Sequence, residues 1–476
     1  MKKHNLLKVV LITIVVALFL TWILPITSFS YGTLVDDQGY TQVGIFDISV
    51  YVKIVFQYFT DVAIYLLAVG GFYGVLHKIS GYRNLLDKIV KRFKHNEWFF
   101  LSLVMIIFAV MVSMAGMSYA LFFLFPFVIS VVLLMGYDKI TAAMVTIGSV
   151  MVGLIGTVFS DRNVSSIYYM LGETTKADTN VPLKLIILVV GLGLLIFNVL
   201  SYAKKHRETK ELVNDKYIPE STEKKSKAWP IIVVMDLVLL VMILTFVSWK
   251  EVFGIEVFND ALAVVRDFEL FGFKIFDKLL GNYVVEQSIY QLGYWQWSVA
   301  ELSVLLVVVS GIVSFVYGFK LNEFFDSFVK GMKSAVKPAV YVLLTYLVLV
   351  ILTMNPVTIT IIRPIIEISS GLNVATMSFS AFITSIMNVD MQYVATSGLQ
   401  FVQYYITDQT TYPIIAVIWQ SMYGLAMLVA PTSAILLATL SYLNVSYGSW
   451  LKNILKLFVE LLVVLLIIIT IAFLMI

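Results

Sequence analysis

Four short stretches of this chain set helix-breaking residues beside hydroxyls, inside segments otherwise apolar enough to lie in a bilayer. The first holds Ser113, Gly116 and Ser118, and the second runs from Gly153, Gly156 and Thr157 to Ser160, Asp161, Arg162 and Asn163. The third is Thr396, Ser397 and Gly398; the fourth is Ala430, Pro431, Thr432 and Ser433. Glycine and proline free backbone N–H and C=O groups. In hydrocarbon such groups are tolerated only where they line a cavity or meet a ligand. A helix N-terminus exposed at such a break favours an anion such as a carboxylate. The candidate substrate-binding residues are therefore Ser113, Gly116, Ser118, Gly156, Thr157, Ser160, Asn163, Thr396, Ser397, Gly398, Pro431, Thr432 and Ser433. The competing reading of any one break is structural: glycines let helices pack closely and hydroxyls bond back to their own helix.

Carboxylates within apolar segments are few: Asp236, Glu301, Asp390 and Glu460. A buried carboxylate tends to hold its proton, so it can carry a coupling H⁺. Asp390, close to Thr396 and Ser397, is the candidate ion-coupling residue. Asp236 and Glu460 fit packing or a helix–helix hydrogen bond equally well, Glu301 fits an interface, and Asp161 with Arg162 also fits a solvated loop. Enzyme chemistry is poorly served. The four histidines (His4, His77, His95, His206) fall in polar segments, which leaves no intramembrane Ser–His pair or His metal cluster. There is no cysteine, so thiolate metal sites and disulfides are excluded. Tyr137 and Asp138 lack a partner Gly-x-Gly-Asp, and no span repeats the polar rings of a pore. No cofactor is expected beyond a coupling H⁺ or Na⁺.

The elements that must position these residues are membrane helices. Apolar residues make up 60% of the 476 and charged ones 13%, too little polar surface for a soluble domain. Uncharged runs of about 20 residues recur, each long enough to cross a ~30 Å hydrocarbon core. Nine spans are expected, at 6–24, 62–76, 140–159, 183–203, 230–247, 298–319, 339–354, 412–442 and 451–476. The first is read as a retained span, longer than a signal-peptide core. Two further apolar segments, near 98–136 and near 376–405, are expected to be re-entrant hairpins or helix pairs, broken near Gly116 and near Ser397 and Gly398. With the N-terminus cytoplasmic, 24 of the 33 Lys and Arg fall on cytoplasmic pieces, in line with the positive-inside rule. The net charge of +3 is small and scattered, which does not indicate nucleic acid binding.

A charged linker, 204–228, divides two halves of similar plan. Residues 1–203 hold a hairpin near 98–136 and a broken helix near 140–160; residues 298–476 hold a hairpin near 376–405 and a broken helix near 412–442. A connecting span at 229–248 and an outer, aromatic-rich loop at 249–297 lie between them and invert the second half. The expected fold class is an all-α polytopic membrane protein of about nine transmembrane helices and two re-entrant hairpins in an inverted repeat. Secondary transporters commonly follow that plan and hold their substrate at the repeat interface.

Several of these pieces resemble the YfcC-type transporters, which group with anaerobic C4-dicarboxylate carriers and arginine/ornithine antiporter-like proteins in the ion transporter superfamily. The pieces include Thr21 to Pro25, Gly70 to Gly74, Gly116 with Met117, and Gly136 to Asp138. In the second half they are Phe328 to Gly331, Ser397 to Gln400, Gln420 with Gly424, Pro431 to Ser433, and Val445 to Lys452. The chain departs from the family pattern where two glutamates follow Gly-Met, at Ser118 and Ala120. It departs again at the family's Asn-Pro-Phe, where residues 160–163 stand, and at its Gly-Asp-Gly, where Met422, Tyr423 and Gly424 stand. The resemblance implies a scaffold and a transport domain, often in a dimer, with each hairpin tip meeting a broken helix. The expected function is secondary transport of a small carboxylate-bearing solute (amino acid, short peptide or organic acid) across the plasma membrane. The alternative is a non-transporting scaffold or lipid-handling protein on the same fold.

Overall fold

The computed structural model describes residues 5–30, 33–36, 42–172, 179–207, 217, 219, 226–247, 249–276, 297–368 and 373–475, and the side chains of Asp161, Arg162 and Asn163 lie outside the description. Almost every described element is helical. The first half comprises α1 (Asn5–Ile23), α2 (Asp47–Tyr58), α3 (Asp61–His77), α4 (Ser80–Phe93), α5 (Glu97–Ala115), α6 (Phe125–Leu134), α7 (Lys139–Ile155), α8 (Asp161–Leu171) and α9 (Val181–Lys205). Next come α10 (Trp229–Phe246) and the segment with α11 (Trp249–Phe253) and α12 (Val257–Asp267). The second half comprises α13 (Val299–Val316), α14 (Leu321–Met354), α15 (Thr358–Glu367), α16 (Val374–Met387), α17 (Met391–Tyr405), α18 (Tyr412–Met427), α19 (Ala434–Leu443) and α20 (Tyr447–Leu474). Two short antiparallel hairpins, Thr27–Ser30 with Thr33–Asp36 and Glu269–Leu270 with Phe273–Lys274, and two 3-10 turns, Ala120–Phe123 and Gln409–Thr411, complete the described elements.

Among the described residues, seven helices are long and apolar enough to cross a membrane, or eight with the α2–α3 pair, bent by 57°. The stretches 140–159 and 412–442, read as broken helices, are interrupted at 156–160 and 428–433. The span read as 339–354 is the second part of the 34-residue α14, which begins at Leu321 and passes through Pro338 unbroken. Tertiary packing outweighs local propensity there. Gly70 and Gly74 of α3 meet Gly331 and Ala335 of α14 so closely that a Cβ on Gly74 would lie 2.7 Å from the Gly331 nitrogen.

The order of elements recurs. A long helix (α1, α13) and the helix that follows (α3, α14) lead to an amphipathic helix (α4, α15) and two antiparallel arms (α5 and α6, α16 and α17). A broken helix (α7 and α8, α18 and α19) and a closing helix (α9, α20) complete each half. Contacts recur with it. Helix α1 packs on α14 as α13 packs on α3, and α5 packs on α7 as α16 packs on α18. Helices α3 and α14, α7 and α18, and α9 and α20 pair with each other across the halves.

The open ends of the two arm pairs are clasped alike. Tyr137 donates its hydroxyl to Glu97 Oε2 at 2.8 Å, and Arg207 bonds the same carboxylate. In the second half Tyr405 donates to Glu367 Oε1 at 2.6 Å, and Arg363 Nε pairs with it at 2.9 Å. The first clasp lies on the face that carries the linker; Ser226 there bonds Ser80 and the Gly81 N–H. The second clasp follows α15, whose Thr360 bonds the Pro25 carbonyl, on the face where Asn355 at the end of α14 bonds Tyr51 of α2.

Candidate functional site

The first pair of arms turns at 116–119, where Gly116 takes φ +69°, a left-handed conformation that suits glycine. The second turns at 388–390, where Asp390 caps α17 by accepting the Gln392 N–H at 2.8 Å. This corrects the placement of the second break near Ser397 and Gly398, which lie inside α17. The Ser397 hydroxyl bonds the Tyr393 carbonyl at 2.5 Å, a turn back on its own helix. Gly398 leaves room for the Trp419 ring, whose Cζ3 would lie 2.8 Å from an added Cβ.

Both broken helices are closed by side chains. The Ser113 hydroxyl donates to the Gly156 carbonyl at 2.6 Å, while the Ser113 carbonyl accepts the N–H groups of Val158, Phe159 and Ser160 at 3.0, 3.2 and 3.2 Å. From α18, Gln420 donates to the Thr157 carbonyl at 2.9 Å and Ser421 to that of Ile155 at 3.0 Å. The Thr157 hydroxyl returns to the Leu154 carbonyl. In the second half Thr432 donates to the Ile386 carbonyl at 2.6 Å, Trp450 to the Leu428 carbonyl at 2.9 Å, and Ser433 caps α19 through the Leu436 N–H. Each first arm is thus latched to its neighbouring break, α5 through Ser113 and α16 through Thr432.

A cavity of about 710 Å³ reaches both arm tips. Its lining runs from Tyr58, Phe59 and Asp61 at the α2–α3 bend, with Phe246, Ser298 and Val299, inward to Gly116, Ser118, Tyr119, Ala120, Leu154, Tyr346, Asp390, Met391, Gln392, Thr396 and Tyr423. Ser165, Ser166, Tyr169 and Met170 of α8 close one side. The lining includes residues at the ends of α2, α10 and α13 remote from the linker, so the cavity faces away from that surface. Asp390 is half-buried, while Gln392 and Thr396, one turn apart on α17, are exposed to the space. Tyr119 and Tyr346 both line the cavity, and Tyr423 donates its hydroxyl to the Val389 carbonyl at 3.1 Å. The ring of Phe59 stacks on Tyr346 with centroids 4.8 Å apart.

Of the residues singled out by sequence, Gly116, Ser118, Thr396 and Asp390 line this cavity. Ser113, Gly156, Thr157, Ser160, Ser397, Gly398, Pro431, Thr432 and Ser433 are not among its lining residues. Asn163 lies in the first turn of α8, its side chain outside the described set. The other carboxylates have structural places. Glu301 completes the capping box of α13, and Glu460 accepts from Asn198 at 2.5 Å between α20 and α9. Asp236 faces outward on α10, away from the cavity. Sequence reasoning missed Tyr119, Tyr346, Tyr423, Phe59 and Gln392. A usable signal was there. Ser118, Ala120 and Tyr423, at which the chain departs from the acidic positions of the resembled family, all line the cavity.

Apolar helices in two matched sets, with a polar cavity between broken helices and paired arms, define a multi-pass membrane transporter, a carrier and not an enzyme. The sequence profile of the C4-dicarboxylate anaerobic carrier (DcuC) family matches residues 4–474, and the chain belongs to that family. Among solved structures, it is similar to the YdaH transporter of Alcanivorax borkumensis at 12% identity and a TM-score of 0.39, covering 98% of this chain and 97% of that one. No curated protein sequence matches it.

Proposed function

We propose that the protein is a secondary active transporter that carries a small carboxylate-bearing solute, such as an amino acid, short peptide or organic acid, across the plasma membrane by alternating access. The observation that supports this reading is the cavity that meets both arm tips at once. In the proposed arrangement residues 1–203 and 298–476 are inverted repeats, and both arm pairs are re-entrant hairpins. The N-terminus and the linker are cytoplasmic, so the cavity faces outward. Gly116, Ser118, Gln392 and Thr396 supply uncharged contacts to the solute. Asp390 is the group through which H⁺ or Na⁺ coupling acts, because a carboxylate at such a tip changes charge when it takes up either. The family's description adds support for a carboxylate on the solute.

The test is a thermal-shift screen of the purified protein against amino acids, peptides and organic acids at high and low Na⁺. It is followed by uptake of the responding compound into proteoliposomes with an imposed H⁺ or Na⁺ gradient. A stabilising compound that is also accumulated is the expected result. Silence throughout, with the protein folded, defeats the reading.

A further inference from the structure

The chemistry around Asp390 is more selective than a polar passage requires. One carboxylate oxygen, Oδ1, accepts the Gln392 N–H, and among the described residues no ion pair engages the other. The tyrosines Tyr119, Tyr346 and Tyr423 line the same cavity as this carboxylate. Phe59, stacked on Tyr346, adds a further ring to the same wall. No lysine, arginine or histidine occurs among the described lining residues, whereas Asp61 and Asp390 do. The described lining thus offers a dianion no counter-charge and places two negative groups against it. A protonated amine finds the reverse: a carboxylate, hydroxyl oxygens that accept hydrogen bonds, and aromatic faces that attract a cation.

Resting on the transport reading of this cavity, we propose that the solute is recognised through a protonated amine seated between Asp390 and the Tyr119–Tyr346–Phe59 wall. The substrate class narrows to amino acids and amine-bearing peptides, and C4-dicarboxylates are disfavoured. Any carboxylate on the solute is left to neutral donors such as the Gln392 amide. Coupling ion and solute then meet at one carboxylate.

The test is binding to the full-length purified protein, read by thermal shift, with butylamine, 4-aminobutanoate, L-leucine, succinate and NaCl as probes. The amine-bearing probes should raise the melting temperature and succinate should not. Asp390→Asn keeps a residue that caps helices well, so the fold should survive while amine affinity falls by about tenfold or more. Tyr346→Phe should retain most of the affinity, and Tyr346→Leu should lose roughly 2- to 30-fold, the range an aromatic face contributes. Stabilisation by succinate without any response to amines overturns the assignment and leaves the transport reading standing. A response to Na⁺ alone, removed by Asp390→Asn, also overturns it and makes the carboxylate a cation site. Silence to every probe at high and low Na⁺ defeats the transport reading and this inference together.

Discussion

At the residue scale, a hydroxyl beside a glycine in a membrane helix has two uses, and the partners it finds decide between them. Ser113 bonds across to Gly156 on another element, whereas Thr157 bonds back within its own turn. Removing the first leaves a buried carbonyl without its donor. Ser113→Ala is therefore expected to cost about 1–3 kcal/mol, and Thr157→Val distinctly less, because a back-bonded hydroxyl adds little to its helix. Melting curves in detergent would rank the two, and the opposite order would contradict the latch. Sequence marks such residues by type but cannot supply the partner. That is why Ser113, Thr432 and Ser397 look alike in the sequence and differ in the structure, and why Tyr346, far from any break, gave no sign of the cavity.

The ends of α5 at Gly116 and of α7 at Gly156 were legible in sequence, because glycine announces a change of backbone direction at the element scale. Gly398 misled for a related reason: its missing Cβ serves the Trp419 ring and no turn. The turn falls at Asn388 to Asp390, which an Asn and an Asp can cap without glycine. The α3–α14 seam is a second case that only packing reveals. Gly74→Ala should cost about 1–3 kcal/mol by overpacking the seam. Gly193→Ala in α9, where nothing stands within 4 Å, should be neutral or raise stability by about 0.5–1 kcal/mol. Equal melting temperatures for the two variants would refute the seam. The clasp at the open end of the second arm pair adds a pH dependence. The Tyr405 hydroxyl, and then the Arg363 guanidinium, hold the Glu367 carboxyl below the usual carboxylate range. A depressed folded-state pKa means the clasp is fully formed above the unfolded value near 4.3 and is lost as pH falls through the lower, folded one. Hydrogen exchange across 374–405 should quicken over that acidic interval, and Glu367→Gln should remove the dependence.

For the whole molecule, apolar composition and span length made membrane residence readable, while the grouping of helices into moving parts is a matter of contacts. Ser113 ties α5 to the first break, Thr432 ties α16 to the second, and Gln420 and Ser421 stitch α18 to α7. These elements should travel as one unit. Helices α1, α3, α13 and α14, joined through the glycine seam, form the other. The cavity lies on the boundary, lined by Tyr119 of the first unit and Tyr346 of the second. Because the chain has no cysteine, this division is directly testable. A Thr432→Cys, Ile386→Cys pair lies within one unit, and its disulfide should leave proteoliposome uptake intact. A Tyr119→Cys, Tyr346→Cys pair spans the boundary, and bridging it with a bifunctional thiosulfonate should abolish uptake, with recovery to the unbridged double variant's rate on reduction. Single cysteines set the direction of the motion. Thr396→Cys and Glu269→Cys should label from outside and His95→Cys should not, and a transported solute should protect only Thr396→Cys. If the boundary bridge leaves uptake unchanged, the two units do not move against each other, and alternating access at this cavity fails with them.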